Sequence, residues 1–365
     1  MLLTGILLGP FVFNVLDEKI LLISPELRKI ALIIILVRAG LNLDFKELKE
    51  VGRPAFLLCF VPAVFEIGGM LLLGPRIFGL TLLESLVMGT VVAAVSPAVI
   101  VPRMLSLMEK GYGTKQRIPQ MVMAGASVDD VFAIVLFTAF TGLMSTGELS
   151  YGAFLTIPLS ILLGLLGGAL SGLLLTFLFK RFHIRDTGKA MMILSVSFLL
   201  MTLEEHGAGV IEFSGLLAVM ALGALVRERK GEVSVRLSQK FSKLWVGAEV
   251  LLFVLVGATV DLSYLRAEGF LAGLLLIGVL LFRMVGVLLS LLGTHLSKEE
   301  RLFTAFAYMP KATVQAAIGG MPLAMGLPKG ELILTVAVAS IILTAPVGAV
   351  LMDRTHKKLL KKEVR

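Results

Sequence analysis

The sequence predicts an all-α membrane protein of about twelve transmembrane helices, arranged as two repeats of opposite orientation. Hydrophobic residues make up 57% of the 365 residues, the mean hydropathy is +0.95, and only 16% of residues are charged. Soluble domains do not have this composition. The apolar residues fall in long runs, and about 20 such residues are enough to cross a bilayer as a helix. The basic residues fall mainly in alternate connections between these runs.

Twelve apolar spans, lettered a to l, can be placed along the chain. Span a is short: its helix would be about 24 Å long, against a hydrocarbon core of ~30 Å. We expect it to tilt against a partner or to continue upstream. Met1 starts directly in apolar sequence, so no cleavable signal is expected. The spans cover residues 1–16, 27–43, 54–73, 80–104, 118–143, 153–179, 188–203, 211–226, 244–260, 268–293, 301–321 and 330–352.

The distribution of basic residues predicts the orientation of the spans. Segments after b, d, f, h, j and l, with the adjoining span ends, carry 25 Lys and Arg, and the other segments carry 6. The positive-inside rule then places both termini in the cytoplasm. This placement also accounts for the net charge of +8 without a nucleic-acid partner.

An internal repeat is indicated by residues that recur 217 positions apart and relate spans b and c to spans i and j. An offset of seven spans is odd, so the second copy would be inserted upside down, as in many transporters. The predicted organisation is a first repeat at 1–143, linking helices f and g at 144–205, a second repeat at 206–352, and a basic cytoplasmic tail at 353–365. The recurring pairs are Gly40 and Gly257, Asp44 and Asp261, and Glu66 and Arg283.

Spans d and k each contain a proline in mid-span, at Pro97 and Pro310. Proline removes a backbone donor and clashes with the preceding turn, so both helices are predicted to be discontinuous and to cross one another. Freed backbone groups need partners in a membrane. The hydroxyls of Ser96 and Thr313, next to the prolines, are suited to that role.

Two adjacent carboxylates, Asp129 and Asp130, lie inside the apolar run of span e. Ionisable groups at this depth are costly and usually functional. Neighbours on a helix point about 100° apart, so one carboxylate can face a cavity and the other a protein partner. Ser127 shares the face of Asp130. An intramembrane aspartyl protease would need two Asp on different helices, which argues against that class.

Three further charges lie in apolar spans. Glu66 and Arg283 occupy equivalent places in the two repeats, which suggests a structural ion pair, although Arg283 could reach Asp129 instead. Lys311 follows Pro310, where its ammonium could neutralise the helix C-termini that meet at the crossing. The lone Cys59 excludes an internal disulfide and a cysteine-based metal site.

Several segments together resemble the monovalent cation/proton antiporter superfamily, and most of all its NHA-type sodium/proton exchangers. They are Val95–Val99, Ser127–Val131, Arg283 and Pro310–Ala317. The resemblance covers nearly the whole chain. It implies a homodimer with a moving core of spans c, d, e, j, k and l and a dimer-forming scaffold of spans a, b, h and i. It also implies that Asp130 binds both the cation and the proton, helped by Asp129.

The predicted function is therefore sodium (or lithium)/proton antiport across the inner membrane, with membrane lipid around the protein and no cofactor. The expected sodium ligands are Asp130, Asp129, a hydroxyl or carbonyl near Ser96, and water, since sodium prefers hard oxygens. A potassium/proton antiporter and a cation channel are the alternatives, although a channel needs a continuous pore. Arg283 cannot release a proton, so exchange is expected to be electroneutral unless Lys311 titrates.

Overall fold

The computed structural model describes residues 1–43, 49, 51–145, 151–207, 213–260 and 262–363. The repeat pair Asp44 and Asp261 lies outside these residues. The helices are α1 Leu2–Leu8, α2 Glu18–Leu22, α3 Ser24–Asn42, α4 Arg53–Leu58, α5 Val61–Phe78, α6 Leu82–Ala93, α7 Pro97–Glu109, α8 Ile118–Ser145, α9 Tyr151–Arg181, α10 Asp186–Gly207, α11 Gly215–Arg229, α12 Gly231–Ala258, α13 Leu262–Ser290, α14 Lys298–Ala307, α15 Thr313–Ile318, α16 Met321–Ala324 and α17 Gly330–Leu359.

Eight helical stretches in the described part of the chain are long and apolar enough to cross a membrane, and they coincide with spans c, d, e, f, g, i, j and l. The other four predicted spans fall on helices that are short, charged or interrupted. Span a has only the seven residues of α1, span h the fifteen of α11, and span b the nineteen of α3, four of which are charged. Span k is divided between α14 and α15. The chain is a multi-pass membrane protein.

The chain divides into two compact units. The first consists of Met1–Asp44 and Ile134–Val260, and the second of Phe45–Ala133 and Asp261–Arg365. Each unit therefore draws segments from both predicted repeats. The second unit holds spans c, d, j, k and l and the first half of e. In the first unit, α3 packs against α11 and α12, α9 packs against α11, and α1 packs against α12.

Two helix crossings in the first unit display the inverted repeat. Gly40 of α3 meets Gly223 of α11, where an added Cβ on Gly40 would collide with the α11 backbone. Gly257 of α12 meets Gly5 of α1 in the same way. Gly40 and Gly257 are 217 positions apart, and Gly223 and Gly5 are 218 apart. The contact between b and h is thus repeated between i and a, and small residues permit both close approaches.

In the second unit, the two broken spans d and k begin with the same helix-capping motif. Thr81 and Glu84 form a capping box at the start of α6, and Ser297 and Glu300 form one at the start of α14. Each box satisfies two backbone donors of its helix. The helices then end early, α6 at Ala93 and α14 at Ala307. The predicted discontinuities in d and k are confirmed.

A buried apolar cluster joins these broken helices to α8, the helix of the double Asp. It includes Ile100 and Met104 on α7, Ile118 and Val122 on α8, and Phe303 on α14, all fully buried. Fully burying a large aliphatic or aromatic side chain contributes roughly 1.5–3 kcal/mol. This packing fixes the register of α8 against both breaks, which places the carboxylates beside them.

Candidate ion-binding site

The two helix breaks meet within the second unit. The backbone N–H of Ser96 donates to the carbonyl of Pro310 at 2.8 Å. The N–H of Lys311 donates to Oγ1 of Thr344 on α17 at 2.9 Å. Gly348, one turn further along α17, leaves room for the Pro310 ring. Main-chain groups freed by the prolines are therefore satisfied across the crossing, as a membrane interior demands.

Side chains cap the three carbonyls at the end of α6. Lys311 Nζ donates to Val92 O at 2.7 Å, and Arg283 Nη1 donates to Ala93 O. The amide of Gln315 donates to Ala94 O at 2.7 Å and to Val92 O at 3.2 Å. Two of these three donors are cations, which a helix C-terminus favours.

The hydroxyls of Ser96 and Thr313 were expected to bond the freed backbone groups of the two breaks, but a different hydroxyl does so. Ser96 Oγ is buried and has no hydrogen-bond partner in the described part of the chain. Thr313 is the first residue of α15 and is also buried. The hydroxyl that does bond a break is that of Thr344 on α17. It accepts the N–H of Lys311 in the break of span k, 33 residues earlier in the chain. Ser96 is the N-cap residue of α7, but its hydroxyl makes no capping hydrogen bond, so its oxygen is available to another ligand.

Four charged side chains form one buried network. Glu66 Oε2 accepts from Arg283 Nη1 and from Lys311 Nζ, both at 2.8 Å. Asp129 Oδ2 accepts from Arg283 Nη2 at 2.7 Å. All four side chains are at most 1% exposed. Two cations thus face two anions, and at this depth each charge needs such a partner.

Arg283 contacts both carboxylates that the sequence offered as alternatives. Its two terminal nitrogens are divided between Glu66 and Asp129, and its Nε donates to Tyr308 O at 2.8 Å, at the C-terminal end of α14. A planar guanidinium presents these donors in fixed directions. Arg283 therefore links α5, α8 and both breaks.

Asp129 is held on one oxygen and unpartnered on the other. Besides Arg283, its Oδ2 accepts the N–H of Val95 at 2.9 Å. Its Oδ1 is buried and has no hydrogen-bond partner among the residues that the structure describes. Val95 immediately precedes Ser96, so the unpartnered hydroxyl follows directly in the chain from the residue that binds the carboxylate.

Asp130 stands outside the charge network. It is 8% exposed, and its Oδ1 is buried with no partner in the described part of the chain. It makes no hydrogen bond or ion pair with any other residue that the structure describes. Ser127, on the same face of α8, donates its hydroxyl to Met123 O at 2.9 Å. Adjacent carboxylates on one helix thus have different environments, one paired and one not.

Hard oxygens are what this site offers to an ion. Among the described residues at this site, the buried oxygens without a hydrogen-bond partner are Ser96 Oγ, Asp129 Oδ1, Asp130 Oδ1, Glu66 Oε1, Gln315 Oε1 and the Tyr308 hydroxyl. Carboxylate and hydroxyl oxygens suit alkali cations and protons better than soft metals. Among the described residues, no three His, Cys, Asp or Glu side chains are grouped to hold a metal ion.

Gln315 and Thr344 were missed by reasoning from the sequence. Gln315 lies within the segment that carries the family resemblance but had no role attached to it. A polar side chain in an apolar span is itself a signal, because it must find a partner there. Its partners, the carbonyls of Val92 and Ala94, lie more than 200 residues away in sequence.

Inverted repeats joined at two crossing discontinuous helices define the architecture of an ion-coupled membrane transporter. A family model described as "Sodium/hydrogen exchanger, transmembrane" matches residues 1–354. The chain belongs to the sodium/hydrogen exchanger family.

The most similar curated proteins include sodium/hydrogen exchangers 9B2 and 9B1. The mouse 9B2 protein is 34% identical over 355 residues, covering 93% of this chain and 63% of the relative. The human 9B2 protein is 33% identical with 93% and 65% covered, and human 9B1 is 32% identical with 93% and 67% covered. The chain thus spans about 63–65% of the length of these 9B2 relatives.

The fold is also that of a solved antiporter. The sodium proton antiporter MjNhaP1 from Methanocaldococcus jannaschii at pH 8 superposes with a TM-score of 0.82 at 20% sequence identity. The match covers 98% of this chain and 91% of that one. The chain therefore has the sodium/proton antiporter fold.

Proposed function

We propose that this protein exchanges sodium or lithium for protons across the inner membrane, with Asp130 binding either ion. The observation that carries the proposal is the charge balance of the buried site. Family membership supports the class of reaction. The curated relatives described above are named sodium/hydrogen exchangers, and the solved structure is titled a sodium proton antiporter.

The charge balance leaves one carboxylate to be neutralised. Arg283 and Lys311 compensate Glu66 and Asp129 one for one, through contacts of 2.7–2.8 Å. Asp130 has no such partner among the described residues. An isolated carboxylate buried away from water is strongly disfavoured. A proton or a monovalent cation therefore restores neutrality at Asp130, and the two compete for the same oxygens.

The cation would complete its coordination with Asp129 Oδ1, Ser96 Oγ and water. Asp129 keeps its charge through Arg283 and Val95, which leaves Oδ1 free to face an ion. We propose that the ion reaches this site alternately from each side of the membrane, which inverted repeats support. We also propose a homodimer, as the family resemblance implies. Both termini would lie in the cytoplasm, as the basic residues favour.

The same contacts favour electroneutral exchange. A guanidinium does not release its proton at accessible pH. Lys311 Nζ is paired with Glu66 at 2.8 Å and donates to Val92 O at 2.7 Å, so we propose that it stays within the network during exchange. Asp130 is then the carboxylate that changes its bound ion in each cycle, so one proton is exchanged for one sodium.

The test is ion-induced proton flux in proteoliposomes, with sodium, lithium and potassium compared side by side. We expect flux with sodium and lithium, and none above background in Asp130→Asn, because asparagine cannot exchange a proton. Asp353→Asn is the matched control, since it makes the same chemical change on an exposed side chain of the second unit. Its flux should equal that of the wild type.

Three outcomes would contradict the proposal. Full sodium-driven flux in a folded Asp130→Asn protein would remove Asp130 from the mechanism. Flux with potassium alone would identify a potassium/proton antiporter. A cation current without proton movement would identify a channel.

A further inference from the structure

Gln315 is a buried polar residue that the charge network does not use. It lies in the first turn of α15, directly after the break in span k, and is 1% exposed. Its amide nitrogen donates to Ala94 O at 2.7 Å and to Val92 O at 3.2 Å. Lys311 already supplies a donor to Val92 O, so the distinctive contact of Gln315 is the one with Ala94.

The carbonyl of Ala94 and the N–H of Val95 belong to one peptide group. Gln315 donates to the oxygen of that group, and the nitrogen of the same group donates to Asp129 Oδ2 at 2.9 Å. A peptide group is planar and rigid. Fixing its oxygen therefore fixes the direction in which its N–H points.

We propose that Gln315 is a positioning residue for ion exchange: it orients the Ala94–Val95 peptide and, through that peptide, the carboxylate of Asp129. The inference rests on the proposed function, because it takes Asp129 Oδ1 to be a ligand of the cation. The proposed role is carried by the amide nitrogen of Gln315, which donates to Ala94 O.

The backbone of the break makes such a support necessary. Ala94 and Ser96 have extended conformations, with φ and ψ of −71° and 143° and of −96° and 105°. Extended residues lack the repeating helical hydrogen bonds that hold a peptide in place. Side chains from other helices must hold the Ala94–Val95 peptide instead. A donor at its oxygen also polarises the group and strengthens its N–H as a donor.

Loss of the amide would act on two ion ligands together. Asp129 Oδ2 has two donors, Arg283 and the Val95 peptide, and these define the plane of the carboxylate. A peptide free to rotate would let that plane turn and displace Oδ1. Ser96 follows Val95 directly, so its Oγ would move as well. Cation affinity should fall while the turnover machinery stays intact.

The experiment compares sodium dependence of exchange in the wild type, Gln315→Met and Ser290→Ala. Methionine keeps the length of glutamine but has no amide donor. Ser290→Ala is the matched control: it also removes a buried side-chain donor, to Gly286 O at 2.8 Å, on the helix of Arg283. We expect Gln315→Met to raise KM for sodium roughly three- to tenfold, the effect of one hydrogen bond, with kcat within about twofold.

A second readout is binding without transport. Sodium should raise the melting temperature of purified wild type and Ser290→Ala at lower concentration than that of Gln315→Met. If Gln315→Met does not fold, Gln315→Leu carries the same expectation, because leucine is also apolar and has no donor for Ala94 O. Loss of folding in both variants would make Gln315 a structural residue and overturn the proposal.

The outcomes separate this inference from the proposed function. A wild type without sodium/proton exchange would refute the proposed function. An exchanging wild type with an unchanged KM in Gln315→Met, or a drop in kcat alone, would refute only the positioning role.

Discussion

Replacing Glu66 by glutamine removes the anion that two buried cations share. Lys311 would lose its carboxylate partner while Arg283 kept Asp129, so the four-charge network would change from neutral to a charge of +1. Removing one partner of a buried ion pair costs about 3–5 kcal/mol, because the other charge is left uncompensated. Glu66 serves two cations and is fully buried, which places it at the upper end of this range.

The size of the effect can be checked by restoring neutrality. Lys311→Met changes the network to −1, and Glu66→Gln combined with Lys311→Met returns it to zero while the contact between Arg283 and Asp129 remains. The double variant should therefore be more stable than the sum of the single losses predicts. A coupling of roughly 1–3 kcal/mol is expected for residues in one network.

Thermal unfolding in one detergent at fixed pH measures these changes. A loss of 1 kcal/mol lowers Tm by about 2–4 °C in domains of ~150–250 residues, so Glu66→Gln should lower Tm on the order of 10 °C. Asp353→Asn is the control, because the exposed ion pair of Arg103 and Asp353 should contribute less than ~1 kcal/mol. Additive losses in the double variant, or equal shifts in Glu66→Gln and Asp353→Asn, would refute this account of the network.

Two further predictions concern stoichiometry and helix packing. When sodium and proton concentrations are equal on both sides of a proteoliposome membrane, an imposed membrane potential should drive no net sodium movement. Voltage-driven sodium uptake would show that more than one proton is exchanged per sodium. Gly40→Ala should destabilise the protein by about 1–3 kcal/mol, because its Cβ would collide with the backbone of Met220. Gly68→Ala, with open space around the new methyl group, should be neutral or stabilising in the same melting assay, and equal losses would contradict the packing described.

The sequence is informative about this fold because a membrane restricts the chain to few solutions. Span lengths follow from bilayer thickness, and breaks follow from Pro97 and Pro310, because each proline removes a backbone donor. Both breaks occur where expected. Charged residues in apolar spans likewise mark the site, since each must find a partner.

What could not be foreseen is which partner each group finds. Arg283 was expected to pair with either Glu66 or Asp129. Its guanidinium contacts both, because one terminal nitrogen reaches Glu66 on α5 and the other reaches Asp129 on α8. The hydroxyl of Ser96 was expected to bond the freed backbone groups in the break of span d. The amide of Gln315, from a helix far along the sequence, bonds the carbonyl of Ala94 there instead. Helix rotation and register decide these contacts, and a single sequence does not record either one.

The paired glycine crossings give the first unit the packing symmetry of a dimer. Gly5 of the first copy meets Gly257 of the second, and Gly40 of the first meets Gly223 of the second. Each half therefore contributes one glycine to each junction, in the manner of two identical molecules related by a twofold axis. The same two surfaces would be buried if the halves were separate antiparallel chains that formed a dimer. The spacings of 217 and 218 show that the two halves keep the distance between these glycines to within one residue.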